Sequence, residues 1–332
     1  MTHSFKALVA RKDDALRCSY ETMTLDDLDD IGEGAVTVAI DYSTLNFKDG
    51  LAITGAAPIA QRHPLVLGID YAGTVVDSQH ADFSPGERVV MNGYGASEYL
   101  HGGYAERARV SGDLLVKLPA SISNAQAMAI GTAGYTAMLS VMALQSNGPA
   151  PGDGQILVTG AAGGVGSVAI SLLAGLGYSV VASTGRASES DFLKSLGATD
   201  IMDRAALSER GKPLQKELWA GVIDCVGSHT LANAIAQTRY DGVVTACGLA
   251  QGADLPATVM PFILRNVRLQ GVDSVQAPMT RRVTAWHRLA EELDMQKLAA
   301  LSFDLPFDEL LSRAPDVLAG KIRGRAVVAL SR

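Results

Sequence analysis

The stretch that decides the fold is Leu157-Val158-Thr159-Gly160-Ala161-Ala162-Gly163-Gly164-Val165-Gly166, near the middle of the chain. It overlaps a strand predicted over residues 156–159 and opens a helix predicted over residues 166–176. Ala161 permits a tight turn, Gly163 lets the backbone approach a pyrophosphate, and Gly166 lets the helix lie against the strand. The helix start offers free N–H groups and the positive end of its dipole to phosphates. The stretch therefore predicts a dinucleotide-binding turn; glycines that serve packing alone are the alternative.

A β-α-β rhythm continues beyond this turn. Strands are predicted over residues 179–183, 221–225 and 242–247, and helices over 190–196 and 230–237. Strands that alternate with helices require a parallel sheet with helices on both faces. The fold class predicted for this part of the chain is therefore α/β, a Rossmann doubly wound parallel sheet.

The chain before residue 125 has a different texture. Short apolar runs over residues 35–40, 71–76 and 88–91 alternate with turn clusters and predict a small β-barrel or a folded antiparallel sheet. Helices are predicted over 124–144 and 283–301, and a last strand over 325–330 that returns to the first domain. We therefore expect one domain from residues 1–125 and 303–332, and a nucleotide-binding domain from residues 126–302.

Composition excludes several classes of protein. The 332 residues carry 28 Lys and Arg against 35 Asp and Glu, a net charge of −7, so general binding to nucleic acid is not expected. Three cysteines are too few for a disulfide framework and fit a reducing cytosol. The first residues lack the apolar region of a signal peptide, and serines and glycines interrupt the apolar stretch 168–182. We therefore expect a cytoplasmic protein that binds neither nucleic acid nor membrane.

The end of the second predicted strand indicates which cofactor is bound. The chain reads Ser183-Thr184-Gly185-Arg186, and no carboxylate appears before Glu189. NAD sites place an acidic residue there to accept hydrogen bonds from the ribose, whereas hydroxyls and a guanidinium suit a 2′-phosphate. The sequence therefore predicts NADPH; an Arg186 that is only a solvated loop residue is the alternative.

The glycine stretch also fits the pattern of short-chain dehydrogenases, but no tyrosine is followed four residues later by the lysine that their catalysis needs. The chain instead resembles the medium-chain dehydrogenase/reductases, in particular the zinc-lacking, quinone-oxidoreductase-like members and the branch of NADPH-dependent acryloyl-CoA reductases. The segments that carry the resemblance are residues 43–49 (STLNFKD), 68–74 (GIDYAGT), 130–138 (IGTAGYTAM), 246–250 (ACGLA) and 259–275 (VMPFILRNVRLQGVDSV). It implies a GroES-like β-barrel catalytic domain, a Rossmann domain and a homodimer.

Zinc-dependent relatives carry a Gly-His-Glu motif that supplies metal ligands. Here the matching segment is Gly68-Ile69-Asp70, and the position of the first ligand cysteine falls near Asn46. Isoleucine cannot bind zinc, and a structural zinc site needs four cysteines. We therefore expect no metal, and we interpret Asp70 as a structural carboxylate between strands.

The resemblance implies a reaction. Hydride passes from NADPH to the β-carbon of acryloyl-CoA, and the enolate that develops needs hydrogen-bond donors at the thioester oxygen. The α-carbon then takes a proton, and propanoyl-CoA forms. A reductase of quinones or 2-alkenals in the same superfamily is the alternative, and an NADPH-binding protein without turnover is the third reading.

Three side chains are candidates for the catalytic site. Asn46 is expected to donate a hydrogen bond to the substrate oxygen; the alternative is that it caps its own loop. Asp49 is expected to anchor that loop rather than to take a proton. Tyr94 is a candidate proton donor, and the alternative is an aromatic loop residue without a catalytic role. Lys48, Arg265, Arg281 and Arg282 are candidates for a basic patch that holds the CoA phosphates. Cys247 is interpreted as a small buried apolar side chain. The residues expected to bind the cofactor are Phe47, Thr132, Ala162, Gly163, Gly164, Val165, Ser183, Thr184, Gly185, Arg186, Arg204, Gly248, Leu249 and Ser274.

Overall fold

The structure is a computed structural model that describes residues 4–29 and 31–330. These residues form two compact units. The first contains the described residues up to Thr132, the segment Ser274–Ala290 and the described residues from Leu301 onward. The second contains Ala133–Asp273 and Glu291–Ala300. The sequence placed all of residues 126–302 in the nucleotide-binding domain, whereas residues 126–132, the segment Ser274–Ala290 and residues 301–302 belong to the first unit.

The chain begins with strands that belong to the first unit. In chain order the elements are β1 (Phe5–Lys12), β2 (Leu16–Met23), β3 (Ala35–Thr44), α1 (Phe47–Thr54), β4 (Leu65–Val66), β5 (Asp70–Ser78), β6 (Arg88–Asn92), β7 (Arg107–Ser111) and β8 (Val116–Lys117). Strand β3 pairs with both β5 and β7, and its alternate residues Val36, Val38 and Ile40 are fully buried.

Helix α2 (Asn124–Asn147) follows, with a kink at Gly131, where φ is 51°. A Cβ at this position would lie 2.3 Å from Nη2 of Arg325, so only glycine fits. The single helix expected over residues 124–144 is therefore broken after its second turn. Residues Asn124–Ser146 are long and apolar enough to cross a membrane by length and composition, and 83% of their most apolar window is buried inside the protein.

The second unit repeats strand and helix. Its elements are β9 (Gln155–Val158), α3 (Gly164–Gly175), β10 (Ser179–Thr184), α4 (Ser190–Leu196), β11 (Asp200–Asp203), α5 (Ala205–Ser208), β12 (Trp219–Asp224), α6 (Ser228–Ala236), β13 (Thr238–Ala246), α7 (Met260–Arg265) and β14 (Arg268–Gly271). The strands form one parallel sheet in the order β11-β10-β9-β12-β13-β14. Because the order reverses between β9 and β12, ligands of such sheets bind at the carboxyl ends near these two strands.

The remaining elements are α8 (Met279–Glu292), α9 (Met295–Leu301), β15 (Ser302–Asp304), α10 (Leu310–Leu318) and β16 (Arg325–Ala329). The one helix expected over residues 283–301 is two helices, because Asp294 interrupts it. Its carboxylate accepts the N–H groups of Gln296 (2.9 Å) and Lys297 (3.1 Å) and so starts α9. Helix α8 packs within the first unit through Trp286, whose indole N–H donates to the side chain of Asn92 over 3.2 Å.

The first unit contains two sheets. One has the order β2-β1-β4, and the other has the order β15-β16-β3-β5-β6-β8, with β7 also paired to β3. Strand β16 pairs antiparallel with β3, with Val327 opposite Thr44. The C-terminal strand therefore returns to the first unit, as the sequence predicted, and its return brings Arg325 beside the loop that begins α1.

Candidate active site

The glycine loop joins β9 to α3 as expected. Gly160 has a φ of 59°, and Gly163 caps the helix. A Cβ on Gly166 would lie 2.5 Å from the carbonyl oxygen of Gly160, so the helix can approach the loop only because this residue is glycine. Ala162 is buried, while Gly164 and Val165 are half-buried at the helix start. The first N–H groups of the helix are thus available to an anionic group.

The carboxyl ends of β10 and β11 carry the next group of predicted residues. Arg204 donates its backbone N–H to the carbonyl oxygen of Thr184 over 3.0 Å, and its side chain lies across Gly185, where a Cβ would be 2.3 Å from Nε. Arg186 donates its backbone N–H to the Thr184 hydroxyl over 3.2 Å. The side chain of Ser183 is buried, and its hydroxyl has no hydrogen-bond partner in the part of the chain that the structure describes. Two guanidinium-bearing residues therefore stand at one edge of the sheet.

The ends of β12 and β13 border a groove of about 570 Å³, which Gly248 and Leu249 help to line. Leu249 is 61% exposed. Gly248 packs on the backbone of Cys225, since a Cβ there would lie 2.3 Å from that carbonyl oxygen. These two predicted residues lie at the carboxyl edge of the sheet, in the same unit as the glycine loop.

Sequence reasoning missed Asp224 at the end of β12. Its carboxylate accepts the hydroxyl of Thr159 over 2.7 Å and the N–H of Gly227 over 2.8 Å. Burial raises its pKa. Because Thr159 directly precedes the glycine loop, Asp224 ties that loop to the neighbouring strand. An acidic residue at the end of the apolar run Val222-Ile223-Asp224 was the available indication.

In the first unit, a buried polar cluster surrounds the start of α1. Asn46 donates its amide N–H groups to Asp49 (3.0 Å) and Asp70 (3.2 Å). Arg325 donates to the amide oxygen of Asn46 over 3.1 Å and to the carbonyl oxygen of Ala129 over 2.8 Å. All four charged or amide side chains are at least nine-tenths buried. The cluster thus holds two carboxyl groups against one guanidinium away from water.

Burial dominates the electrostatics of this cluster. Burial first, and then the neighbouring carboxylate of Asp70, raise the pKa of Asp49 to about 7, against the hydrogen bonds from Asn46 and Ile69. Burial also raises the pKa of Asp70, whereas the charge of Arg325 opposes that rise. Ionisation of either carboxyl group therefore raises the pKa of the other.

The hydrogen bonds of Asn46 and Asp49 match the structural alternatives of the sequence analysis. Asp49 accepts the backbone N–H of Asn46 (2.8 Å) and of Ile69 (2.9 Å), which anchors the loop to the start of β5. Both amide N–H groups of Asn46 are engaged by carboxylates, so this side chain caps the loop. Asp70 lies between the strands, as expected, and also accepts the N–H of Thr132 over 2.6 Å. Arg325 was missed, although an arginine at the start of an apolar strand was the available sign.

The other predicted residues of the first unit lie on three segments. Phe47 is the first residue of α1 and is 42% exposed. Tyr94 has a φ of 49° and donates its hydroxyl to the carbonyl oxygen of Ala277 over 2.9 Å. The guanidinium of Arg282 stacks 3.7 Å from the centre of the Tyr94 ring and donates to the carbonyl oxygen of Ser274 over 3.0 Å. Tyr94 and Ser274 are therefore linked by one arginine.

That arginine corrects the expected basic patch. Arg282 is 1% exposed and donates to four backbone carbonyl oxygens, so it is structural and cannot meet a CoA phosphate from this position. Lys48 pairs with Glu98, and Arg265 donates to the carbonyl oxygens of Ala236 and Gln215. Of the four candidates, only Arg281 is an exposed side chain. Within residues 4–29 and 31–330, no group of three or more His, Cys, Asp or Glu side chains is placed to hold a metal ion.

Comparison with known proteins gives consistent matches over nearly the whole chain. Residues 164–291 match the family described as zinc-binding dehydrogenase, and residues 32–120 match the alcohol dehydrogenase GroES-like domain. The acrylyl-CoA reductase AcuI of Ruegeria pomeroyi is 48% identical over 325 residues, 98% of each chain. These matches confirm both the predicted fold class and the resemblance.

Solved structures agree with these relatives. The YhdH oxidoreductase of Salmonella enterica in complex with NADP is 47% identical, with a TM-score of 0.95 over 98% of this chain and 100% of that one. The Bacillus subtilis protein YhfP with NAD bound is 41% identical, with a TM-score of 0.94 over 99% of this chain and 100% of that one. The chain therefore belongs to the medium-chain dehydrogenase/reductase superfamily, in the branch that contains the acrylyl-CoA reductases.

Proposed function

We propose that this protein is an NADPH-dependent acryloyl-CoA reductase, which converts the C=C bond of acryloyl-CoA to the saturated bond of propanoyl-CoA. The observation that carries the proposal is the 48% identity to the acrylyl-CoA reductase AcuI over 98% of both chains. The glycine loop and the two arginines at its edge of the sheet support the cofactor, and the NADP-bound relative agrees with them.

The second unit fits a phosphorylated dinucleotide. Gly160, Gly163 and Gly166 form a cradle that a Cβ at residue 166 would fill, and the start of α3 presents N–H groups to a pyrophosphate. Arg186 and Arg204 suit a 2′-phosphate, since guanidinium groups bind phosphate through paired charge-assisted hydrogen bonds. When bound, the cofactor supplies the hydride for the β-carbon.

The first unit orients the substrate and supplies a proton. We assign Tyr94 as the donor to the α-carbon, because its phenol is a proton-bearing side chain on a loop that Arg282 and Ala277 hold in a left-handed conformation. Asn46 and Asp49 act as positioning residues that fix the start of α1, and with it Phe47. Thr132 is held by Asp70 through its backbone N–H, which leaves the residue fixed at the kink of α2.

Steady-state kinetics with purified protein and NADPH test the proposed reaction. Acryloyl-CoA is compared with free acrylate, acrolein and a naphthoquinone, and the product of the first reaction is identified as propanoyl-CoA. We expect kcat/KM for the thioester to exceed that for every free electrophile by at least 10²-fold, because only the thioester carries the CoA part that contributes binding. Equal values would favour the quinone or 2-alkenal reductase, and absence of NADPH oxidation with any enoyl thioester would favour a non-catalytic binding protein.

We also propose that the reaction needs no zinc. Ile69 and Asn46 stand where zinc-dependent relatives are expected to carry ligands, and Asn46 is committed to Asp49 and Asp70. Elemental analysis of the active protein should find less than 0.1 zinc per chain, and a chelator should leave the rate unchanged. Stoichiometric zinc, or loss of activity on chelation, would contradict this proposal.

A homodimer is proposed as well. Strand β14 is an edge of the parallel sheet, and the exposed apolar side chains Val259, Ile263 and Leu264 lie on or beside the preceding helix α7. A second copy would cover both the edge and these side chains. Light scattering should give twice the chain mass of 34.7 kDa. Ile263→Arg should give monomer, whereas the control Val76→Arg, also at an exposed position, should remain dimeric.

We further propose a cytoplasmic location, supported by three free cysteines.

A further inference from the structure

Two of the three cysteines lie side by side at the carboxyl edge of the parallel sheet. Cys225 directly follows β12 and Cys247 directly follows β13, and these strands are paired with Asp224 opposite Ala246. The backbone N–H of Cys247 donates to the carbonyl oxygen of Asp224 over 2.9 Å, so the pairing continues to the cysteines. Their sulfur atoms are 3.9 Å apart. Neighbouring strands lie about 5 Å apart, a backbone separation that a disulfide can span.

One member of the pair, Cys247, is accessible from the groove. Cys247 lines the cavity of about 570 Å³ together with Gly248 and Leu249, and both cysteines are free and half-buried. The hydrogen bond between the two thiols lowers the pKa of Cys247 against the opposing effect of burial, and a hydrogen bond with Ser140 also lowers it. The hydrogen bond with Cys247 and burial raise the pKa of Cys225. Cys247, which also lines the groove, is therefore the thiol that we expect to react first.

Cys225 contacts both the residue that precedes the cofactor loop and the residue that follows Cys247. The N–H of Cys225 donates to the hydroxyl of Thr159 over 3.0 Å, and Thr159 precedes the glycine loop. The carbonyl group of Cys225 packs against Gly248, where a Cβ would lie 2.3 Å away. A disulfide requires the sulfur atoms to approach to about 2.05 Å. Because Cys225 contacts both Thr159 and Gly248, we infer that this approach shifts one or both of them.

We propose that Cys225 and Cys247 form an oxidisable dithiol that closes to a disulfide on exposure to a hydroperoxide, and that closure weakens cofactor binding. The second half rests on the proposed NADPH site. The Cys247 thiolate attacks the peroxide oxygen, which gives a sulfenic acid and, for hydrogen peroxide, hydroxide that takes up the proton released on ionisation to form water. The Cys225 thiol then attacks that sulfur and releases a second water. The dithiol thereby loses two electrons and two protons, and the peroxide is reduced to two waters.

Peptide mapping tests the disulfide without any cofactor. The intact protein is treated with hydrogen peroxide, alkylated and digested with trypsin, which cleaves after Lys216, Arg239 and Arg265 and so separates the cysteines. We expect a linked pair of peptides, residues 217–239 and 240–265, that a reducing agent separates, and a fall from three titratable thiols to one. Cys247→Ser should give no linked pair, whereas Cys18→Ser should give it as the wild type does. Absence of the linked pair in the wild type overturns the proposal.

Fluorescence titration with NADPH tests the consequence. We expect the Kd of the oxidised protein to rise at least 10-fold and to return on reduction, while the Kd of Cys247→Ser stays insensitive to peroxide. A linked protein with a Kd within 2-fold of the reduced form overturns the second half of the proposal. If the reduced protein itself does not bind NADPH, the proposed function fails together with this second half, and the peptide map still decides whether the disulfide forms.

Discussion

Arg325→Met removes the single guanidinium from the cluster around Asp49 and Asp70. Methionine fills a similar volume, but it cannot donate to Ala129, Asn46 or Thr44, which Arg325 contacts over 2.8, 3.1 and 2.9 Å. Two fully buried carboxyl groups then share a site without a counter-charge. Breaking a buried pair from one side costs about 3–5 kcal/mol, so we expect the free energy of unfolding of the first unit to fall by about 4 kcal/mol.

The two tryptophans allow this loss to be assigned to one unit. Trp286 belongs to the first unit and Trp219 to the second, and both are buried. In a Trp219→Phe background, fluorescence during urea unfolding reports on the first unit alone. The double variant Arg325→Met, Asp70→Asn should recover at least about 1 kcal/mol, because the amide no longer needs a counter-charge. A loss below about 1.5 kcal/mol, or no recovery in the double variant, would refute the account of the cluster.

Three further predictions concern the sites. Arg186→Ala should raise the KM for NADPH about 10- to 30-fold, because the half-exposed guanidinium is expected to contribute about 1.5–2 kcal/mol to a phosphate contact. The KM for NADH should change little. Equal effects on both cofactors would exclude the 2′-phosphate role. Tyr94→Phe keeps the ring over Arg282 and should lower kcat about 10²-fold with unchanged NADPH affinity, whereas a change below 3-fold would exclude Tyr94 as proton donor. Because the pKa of Asp49 is raised to about 7 from an ordinary value of 3.8, its contribution to stability is complete below pH 3.8 and is lost as pH rises through 7. The stability of Asp49→Asn relative to wild type should therefore improve between pH 5 and pH 8 in urea unfolding, and a constant difference would contradict the assignment.

The second unit could be predicted well because local pattern and tertiary structure agree there. The glycine loop lies between a strand and a helix, and the apolar runs of β9, β12 and β13 are buried on both faces, as continuous apolar strands require. The kink at Gly131 and the break at Asp294 were not predicted, because each depends on one residue within an otherwise helical pattern.

The catalytic unit was less accessible from sequence. Their charge and their positions in the sequence made Arg282 and Lys48 candidates for a patch that binds CoA phosphates. In the structure Arg282 is buried and donates to the carbonyl oxygen of Asn92, and Lys48 pairs with Glu98. Both of these partners come from distant parts of the chain. The same holds for Arg325, which reaches Asn46 across 279 residues of chain. Such long-range pairing leaves no periodic trace, so the buried cluster emerges only from the folded structure.

The contact between Arg204 and Gly185 restricts how the cofactor preference of this enzyme can be redesigned. An acidic residue introduced at position 185 to attract NADH would collide with Arg204, which lies across this position. Its carboxylate would pair with the guanidinium instead of accepting hydrogen bonds from a ribose. Thr184, one position earlier, has a backbone carbonyl already bonded to Arg204 and a side chain bonded to Arg186. A switch of preference from NADPH to NADH therefore requires that Arg186, Arg204 and Thr184 at the end of β10 be changed together.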